Sequence, residues 1–426
     1  MAKPTISEII KGPVAIYTFT NFFGKAASFL LLFVFTNPKY ISPSENGLLN
    51  LFSNSMLLLM PFMTLGIIHS TSADFFKMEK PVFRNFFTTG LLIPFLLMIL
   101  AMGMLFSFHG QLQAMYGFPL MFCWLIPLIC FLTFCNEQFL GLARNNHQPM
   151  VFLKANVSKI ILELGLSAFF VIALAWRWEG RVAGILIAYL VIGIYAFIYF
   201  SRNGYIFGQF KWEYVKAELI YAVPIIVMQA SIFCLAGSDR FFLSYFTNDH
   251  NETVGIYGVA ATFASVINVL CMAYVQYLFP RIYARLASGM EDHAATRRDF
   301  GQYLVIMISG SLLVLLAIPL AYHWLINARY YPALDYVYLL CIGCFLWAIT
   351  YFFYSFLLYH KEKKRLIILS VAALLVSLTM NYMFISRMGA MGAALANSIS
   401  YAVVLIITLV VTAPYWKKFL LSSTST

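Results

Sequence analysis

The chain is poor in charge. Only 11% of its 426 residues are Asp, Glu, Lys or Arg, where a soluble domain carries about a quarter. With 62% hydrophobic residues and a mean hydropathy of +0.82, it has more apolar surface than a globular interior can hide. A soluble fold is excluded and a polytopic membrane protein is expected. Long polar connections are also missing. The longest lies near 281–298, which leaves no room for a catalytic domain outside the membrane. No phosphate-binding loop, HExxH, GxSxG turn or loop with paired carboxylates occurs, which argues against an ATP-driven pump. The seven cysteines all fall inside apolar runs. Cys341 and Cys344 make a CxxC, but among Ile, Phe and Leu on a helix, where a zinc or redox site would want polar ligands. They are read as packing residues, and neither metal nor cofactor is expected. The N-terminus, 1–11, has no short apolar core followed by a small-residue cleavage site, so the run after it is read as an uncleaved first span.

What the chain does have is long apolar runs. About 20 apolar residues cross the hydrocarbon core as a helix, and twelve stretches qualify: roughly 13–35, 47–70, 84–108, 118–140, 151–176, 182–201, 217–246, 254–280, 299–325, 335–359, 365–386 and 389–413. They are too long and too continuously apolar for β-barrel strands. An internal echo organises them. Pro13 leads to Phe35-Thr36-Asn37, and Pro224 leads to Phe246-Thr247-Asn248; both pairs of landmarks are 211 positions apart (224 − 13 and 246 − 35). Gly47-Leu48 and Gly255-Ile256 open the next runs. Gly184-Ile-Leu-Ile-Ala188 in span six matches Gly392-Ala-Ala-Leu-Ala396 in span twelve, 208 apart (392 − 184). The expected fold is therefore all-α, with about twelve transmembrane helices in two six-helix lobes, 1–205 and 206–426. Six is even, so the repeat is parallel, with a pseudo-two-fold axis along the membrane normal.

Orientation follows from the basic residues. With the N-terminus inside, the inner connections hold twenty of the 28 Lys and Arg. The outer ones hold five (Lys39, Arg177, Arg181, Arg329, Arg387), and Lys25, Lys159 and Arg240 lie within spans. Both termini are expected to be cytoplasmic. The formal charge of +11 is then topology and attraction to anionic membrane lipid, not a sign of nucleic acid.

A charge at membrane depth costs at least about 2.5–3.5 kcal/mol on insertion scales and needs a reason. Lys25 stands ~18 Å along a helix from Pro13, near mid-membrane. Thr18, Asn21, Lys25 and Ser28 make one polar stripe. That stripe either faces a water-filled cavity whose cation meets an anionic substrate, or holds a lysine paired with a carboxylate for packing. Span five carries Lys159 and Glu163, an i,i+4 pair able to neutralise each other; Glu163 is alternatively a proton or sodium site. Asp239 and Arg240 in span seven stand ~10 Å from its outer end. Being adjacent they do not share a face, so each is expected to need its own partner or water, at an outer cavity mouth or in structural ion pairs. Gln229 lies on the Arg240 side. Ser265, Asn268, Met272 and Gln276 follow one stripe of span eight, and Asn50 and Asn54 mark span two. Glu137 is read as a cap for Arg144. Asn381 and Asn397 are read as interhelical hydrogen bonds.

Asp239-Arg240-Phe-Phe-Leu-Ser-Tyr-Phe, then Val254-Gly255-Ile-Tyr-Gly-Val, and the closing Gly389-Ala-Met-Gly392-Ala-Ala-Leu-Ala resemble the polysaccharide branch of the multidrug/oligosaccharidyl-lipid/polysaccharide exporter superfamily. More narrowly they resemble the lipid-linked O-antigen repeat-unit flippases (the Wzx type). The resemblance covers the whole chain. It implies a non-enzymatic transporter in the bacterial inner membrane. Such a protein would move a polyprenyl-diphosphate oligosaccharide from inner to outer leaflet by alternating access, driven by a proton or sodium gradient, beside other polysaccharide-assembly membrane proteins. It also implies basic cavity residues for the diphosphate and sugar, which agrees with Lys25 and Arg240; Asn21, Lys159, Gln229, Asn268 and Gln276 are further cavity candidates, and Glu163 and Asp239 coupling or gating candidates. Rival readings are a same-fold multidrug cation antiporter, a cell-wall lipid II-type flippase, and an integral-membrane polysaccharide polymerase or glycosyltransferase.

Overall fold

The computed structural model describes residues 32–287 and 293–420, with Phe23, Gly24, Ala27 and Phe29. Asn21 and Lys25 lie outside the described residues. Everything described is helix, turn or coil, with no strand. Nine described helices are long and apolar enough to cross a membrane, and a bent tenth runs over Trp212–Ala236. The nine count Lys363–Val411 once, although it holds two of the expected runs. Its backbone leaves the helix at Gly389 (φ 56°, ψ −131°). A Cβ on Gly392 would lie 2.1 Å from the Phe384 carbonyl oxygen, whereas residues eight apart on a continuous helix are ~12 Å apart. The chain doubles back there, so spans eleven and twelve are a hairpin. Spans two to twelve are therefore all present, and span one falls mostly outside the described residues. The chain is an all-α polytopic membrane protein.

Contacts divide it into two compact units, Met1–Gln229 and Ala230–Thr426. In the first, span two starts at α1 (Pro43–Thr64), where Ser42 and Glu45 form a reciprocal capping box. These are the interactions that satisfy the orphan amides of a helix start. The span breaks at Leu65 (φ 48°) and Gly66 (φ 71°) and resumes as α2 (Ile67–Asp74). Glycine is required at 66 on two counts: its left-handed backbone, and the 2.5 Å that would separate a Cβ from Ile225 Cδ1. Span three is α3 (Lys80–Ser107), followed by a short α4 (His109–Tyr116), and span four is α5 (Phe122–Asn145). Span five, α6 (Pro149–Ala168), widens into a π turn at Phe169–Ala173, and the chain reverses through Ala175 and Arg177, both at positive φ, into span six, α7 (Arg177–Arg202). Gly184 on α7 lies so close to α6 that a Cβ would meet the Ser167 amide nitrogen at 2.5 Å.

The glycines of the 208-residue echo thus do one job. Each lets the sixth span of its half touch the backbone of the fifth. The Phe-Thr-Asn echo marks two span exits. Asn37 accepts the Lys39 amide at 3.0 Å, and Asn248 ends its helix at φ 50°. Asparagine tolerates both roles, as a side-chain turn mimic and as a left-handed residue.

The second unit holds the end of α8 (Trp212–Ala236), α9 (Ser238–Thr247), α10 (Glu252–Ala287), α11 (His293–Leu325), a 3₁₀ turn at Ala328–Ala333, α12 (Leu334–Tyr359), α13 (Lys363–Val411) and α14 (Ala413–Leu420). One apolar cluster joins Cys271, Ile282, Tyr303, Phe352 and Phe353. A second joins Leu235, Leu357, Leu369, Tyr401 and Val404.

Candidate functional site: a polar pocket inside the Ala230–Thr426 unit

Span seven is not one helix. α8 stops at Ala236, Gly237 leaves helical geometry (φ −145°), and α9 begins at Ser238. The break changes what Asp239 and Arg240 can reach. On a continuous helix, neighbours point about 100° apart. At this restart Arg240 Nη1 donates to Asp239 Oδ1 at 2.6 Å and to the Ala236 carbonyl at 2.6 Å, and the Arg240 amide donates to the same carboxylate oxygen at 3.0 Å. The expectation that each needs a separate partner is corrected: they form a buried ion pair with each other. Asp239 sits in the first turn of α9, where a carboxylate also meets the positive end of the helix dipole. Its other oxygen accepts the Tyr257 hydroxyl at 2.6 Å, and the Arg240 guanidinium lies over the Tyr257 ring, 5.2 Å from its centroid.

This cluster lines a cavity of about 120 Å³ with Ser265, Asn268, Cys344, Asn397 and Tyr401. Two requirements are unmet on residues that line it. Arg240 Nε, a donor, and Asn268 Oδ1, an acceptor, are buried without a hydrogen-bond partner among the described residues. Asn268 Nδ2 is used on Cys344 Sγ at 3.4 Å, and Asn397 Nδ2 on the Leu235 carbonyl at 3.0 Å. The volume holds several water molecules at ~30 Å³ each, or a hydroxyl-bearing edge of a larger solute. A bare anion would satisfy Arg240 and leave Asn268 Oδ1 facing negative charge. A bare cation would do the reverse. Hydroxyl groups both accept and donate, so a hydroxyl-bearing solute offers each of them its kind of partner.

Three of the candidates, Asp239, Arg240 and Asn268, come together here. Gln229 is half-buried and Gln276 exposed, and neither lines the cavity. Lys159 and Glu163 belong to the first unit, and their expected pairing is corrected. Glu163 Oε1 accepts Arg181 Nη2 at 2.9 Å, while Arg181 Nη1 donates to Ser167 Oγ at 2.9 Å and the guanidinium stands 5.2 Å from the Phe35 ring centroid. Guanidinium is the more versatile partner, with a planar fork of donors that can serve two side chains at once. Lys159 instead lies 5.0 Å from the Tyr189 ring centroid, a cation–π contact. Arg181 had been placed in an outer connection; the tight hairpin at 174–176 carries it into the span. Asn381 donates to Ser238 Oγ at 2.9 Å, the interhelical role expected for it. Tyr257 and Tyr401 were missed, because a tyrosine in a chain with 26 of them gives no local signal. Among the described residues no group of His, Cys, Asp and Glu could hold a metal ion.

A sequence model of the family described as polysaccharide biosynthesis protein matches residues 12–286, well over half the chain. The chain belongs to that family. Its fold is shared with solved transporters. An inward-facing multidrug resistance MATE family transporter of the MOP superfamily superposes with TM-score 0.72 at 15% identity, covering 92% of this chain and 96% of that one. An outward-facing MATE transporter gives TM-score 0.61 at 14% identity over 98% and 99%. A MOP superfamily transporter from Pyrococcus furiosus, whose binding pocket is described as of reverse polarity, gives 0.61 at 14% over 98% and 99%. At these identities the likeness is one of fold. No curated protein sequence matches the chain.

Proposed function

We propose that this protein is a flippase of the Wzx type, which carries a polyprenyl-diphosphate-linked oligosaccharide from the inner to the outer leaflet of a bacterial inner membrane. Its termini are cytoplasmic, and two six-helix lobes, 1–205 and 206–426, alternate access to a shared site. The observation that carries this reading is the union of a polysaccharide-biosynthesis family with a transporter fold. A sugar-polymer pathway in the membrane needs a step that brings its lipid-linked intermediate across. The pocket refines the roles. Arg240 is already neutralised by Asp239, so the Arg240–Asn268 pocket suits sugar hydroxyls. The diphosphate falls to Lys159, which lies against the Tyr189 ring, and to Lys25, the cation that the sequence puts near mid-membrane with Asn21 on its stripe. Glu163 and Asp239, the acids named from sequence, are both held by arginines, which takes these two from a cation substrate.

The test is transbilayer movement of such a lipid in proteoliposomes, with and without a proton or sodium gradient. Movement should require Lys25 and fall at least tenfold in Lys25→Ala. Uptake of organic cations, with no movement of the lipid, would leave the fold standing and sink the substrate.

A further inference from the structure

A carboxylate unclaimed by any of this lies in the first unit. Glu218, in the second turn of α8, is 3% exposed and stands on α8 between Val215 and Ala222, which join Leu65, Ile67, Ile93 and Phe134 in an apolar cluster. Its Oε1 is 2.7 Å from Ser70 Oγ on α2, and its Oε2 is buried with no hydrogen-bond partner among the described residues. The charged groups on the elements around it do not compensate it. On α2, His69 is exposed, and Asp74 is bonded to Lys77 at 3.1 Å. On α3, Lys80 is exposed and Arg84 donates to the Ile206 and Phe207 carbonyls. Glu45 of α1 is held by Arg177. Glu137 and Arg144 of α5 and the exposed Glu213 and Lys216 of α8 make no ion pair with it. The charge that bears on Glu218 is Asp74, which has the same sign.

Counting donors favours one form. Ser70 Oγ also lies 3.0 Å from the Ile67 carbonyl, and a hydroxyl has one proton to give. With Glu218 ionised, Ser70 must turn to it, and a full charge stays buried with one oxygen unpaired, which is the costly arrangement. With Glu218 protonated on Oε1, that O–H donates to Ser70 Oγ, and Ser70 donates to Ile67. The oxygen left unpaired is then a neutral carbonyl. The site also sits where two spans are discontinuous: the left-handed break at Leu65 and Gly66, and the 46° bend between Trp212–Leu219 and Ala222–Ala236.

We propose that Glu218 is the proton-exchanging site of this transporter. It holds a proton in the packing described here. When the broken halves of spans two and seven part and admit water, its O–H bond breaks, the proton passes to water, and the carboxylate remains until the halves close again. The coupling role rests on the transporter reading above; the proton site does not.

Two measurements on the full-length protein separate those claims. Infrared spectra of wild type and Glu218→Gln at neutral pH should differ by a hydrogen-bonded carboxylic-acid band that shifts in D₂O. Ser70→Ala should move that band to the free-acid position. Absence of any acid band lost in Glu218→Gln overturns the proton site, whatever the substrate. In proteoliposomes, Glu218→Gln should still equilibrate the lipid between leaflets while losing the acceleration that a proton gradient gives wild type. Acceleration retained in full overturns the coupling. Should neither protein move the lipid, the substrate assignment fails, and the infrared result still decides the proton site.

Discussion

The Asp239–Arg240 pair makes the sharpest prediction about stability. Asp239 is 2% exposed. It accepts three hydrogen bonds, two from Arg240 and one from Tyr257. Removing either partner leaves a buried charge without its counter-charge, which typically costs ~3–5 kcal/mol. Arg240→Ala strands the carboxylate with a phenol and one amide. Asp239→Ala strands the guanidinium with the Ala236 carbonyl and the Tyr257 ring. The double variant strands neither and loses mainly the net value of the pair, so it should be more stable than either single variant, by about 2 kcal/mol if the buried-pair figures hold. Additivity is the expectation for independent sites, and coupled neighbours depart from it by ~0.5–3 kcal/mol. The assay is thermal unfolding in one detergent for the four members of the cycle, read as the ranking of midpoints. A double variant at or below the sum of the two singles would refute the pair as the reason these charges are tolerated. It would mean that each residue has its own partner, as the reading from sequence supposed.

Three more outcomes follow from the same geometry. Gly392→Ala and Gly184→Ala place a methyl 2.1 Å from a carbonyl oxygen and 2.5 Å from an amide nitrogen, so each should cost at least the ~1–3 kcal/mol of an overpacked interior. Gly103→Ala, with nothing within 4 Å, should be neutral or slightly stabilising; equal melting of all three variants would refute the close-crossing role. Arg181→Met should destabilise the first unit more than Lys159→Met, because only Arg181 holds a carboxylate. A Glu163→Gln background should erase most of that difference in the same melting assay. Gly66→Ala should lower yield and melting temperature through both its backbone and Ile225. Ala substitution at Gly204, also at positive φ but with nothing within 4 Å, isolates the backbone share at ~1 kcal/mol.

The twelve apolar runs were legible because span length and loop charge are properties of long windows, and windows average over local error. The echo was legible for a related reason. Pro224, Phe246 and Gly392 recur because two halves meet similar steric demands, and Gly392 against Phe384 shows one such demand at atomic distance. What the sequence could not supply was helix phase. Lys159 and Glu163 have the spacing of a pair, and the pair does not form. A hairpin too short to foresee brings Arg181 to Glu163, and an arginine fork there also reaches Ser167.

The same limit explains both sites. An intramembrane charge was judged by its position along an assumed continuous helix, yet Asp239 and Arg240 sit at a helix restart and Glu218 sits beside two breaks. Breaks free backbone groups, turn adjacent residues toward each other and give a carboxyl a protected partner such as Ser70. Gly66 and Gly237 were the visible signs, but a glycine in an apolar run is common, and this chain has 24. Only a neighbour can say which glycine interrupts a span: Ile225 against Gly66 within the first unit, and Ser377, donating to Cys234 at 2.6 Å, beside Gly237 within the second. Where a polar residue falls within one helical turn or so of such an interruption, two to four positions away as Ser70, Asp239 and Arg240 are, distance along an ideal helix is the wrong coordinate. The question that identifies the site is which backbone and side-chain groups the interruption leaves to be satisfied. At the Gly237 restart, the atoms left over around the small cavity include one donor, Arg240 Nε, and one acceptor, Asn268 Oδ1. Beside the Gly66 break they include a carboxyl oxygen of Glu218, and a proton on the group removes its buried charge.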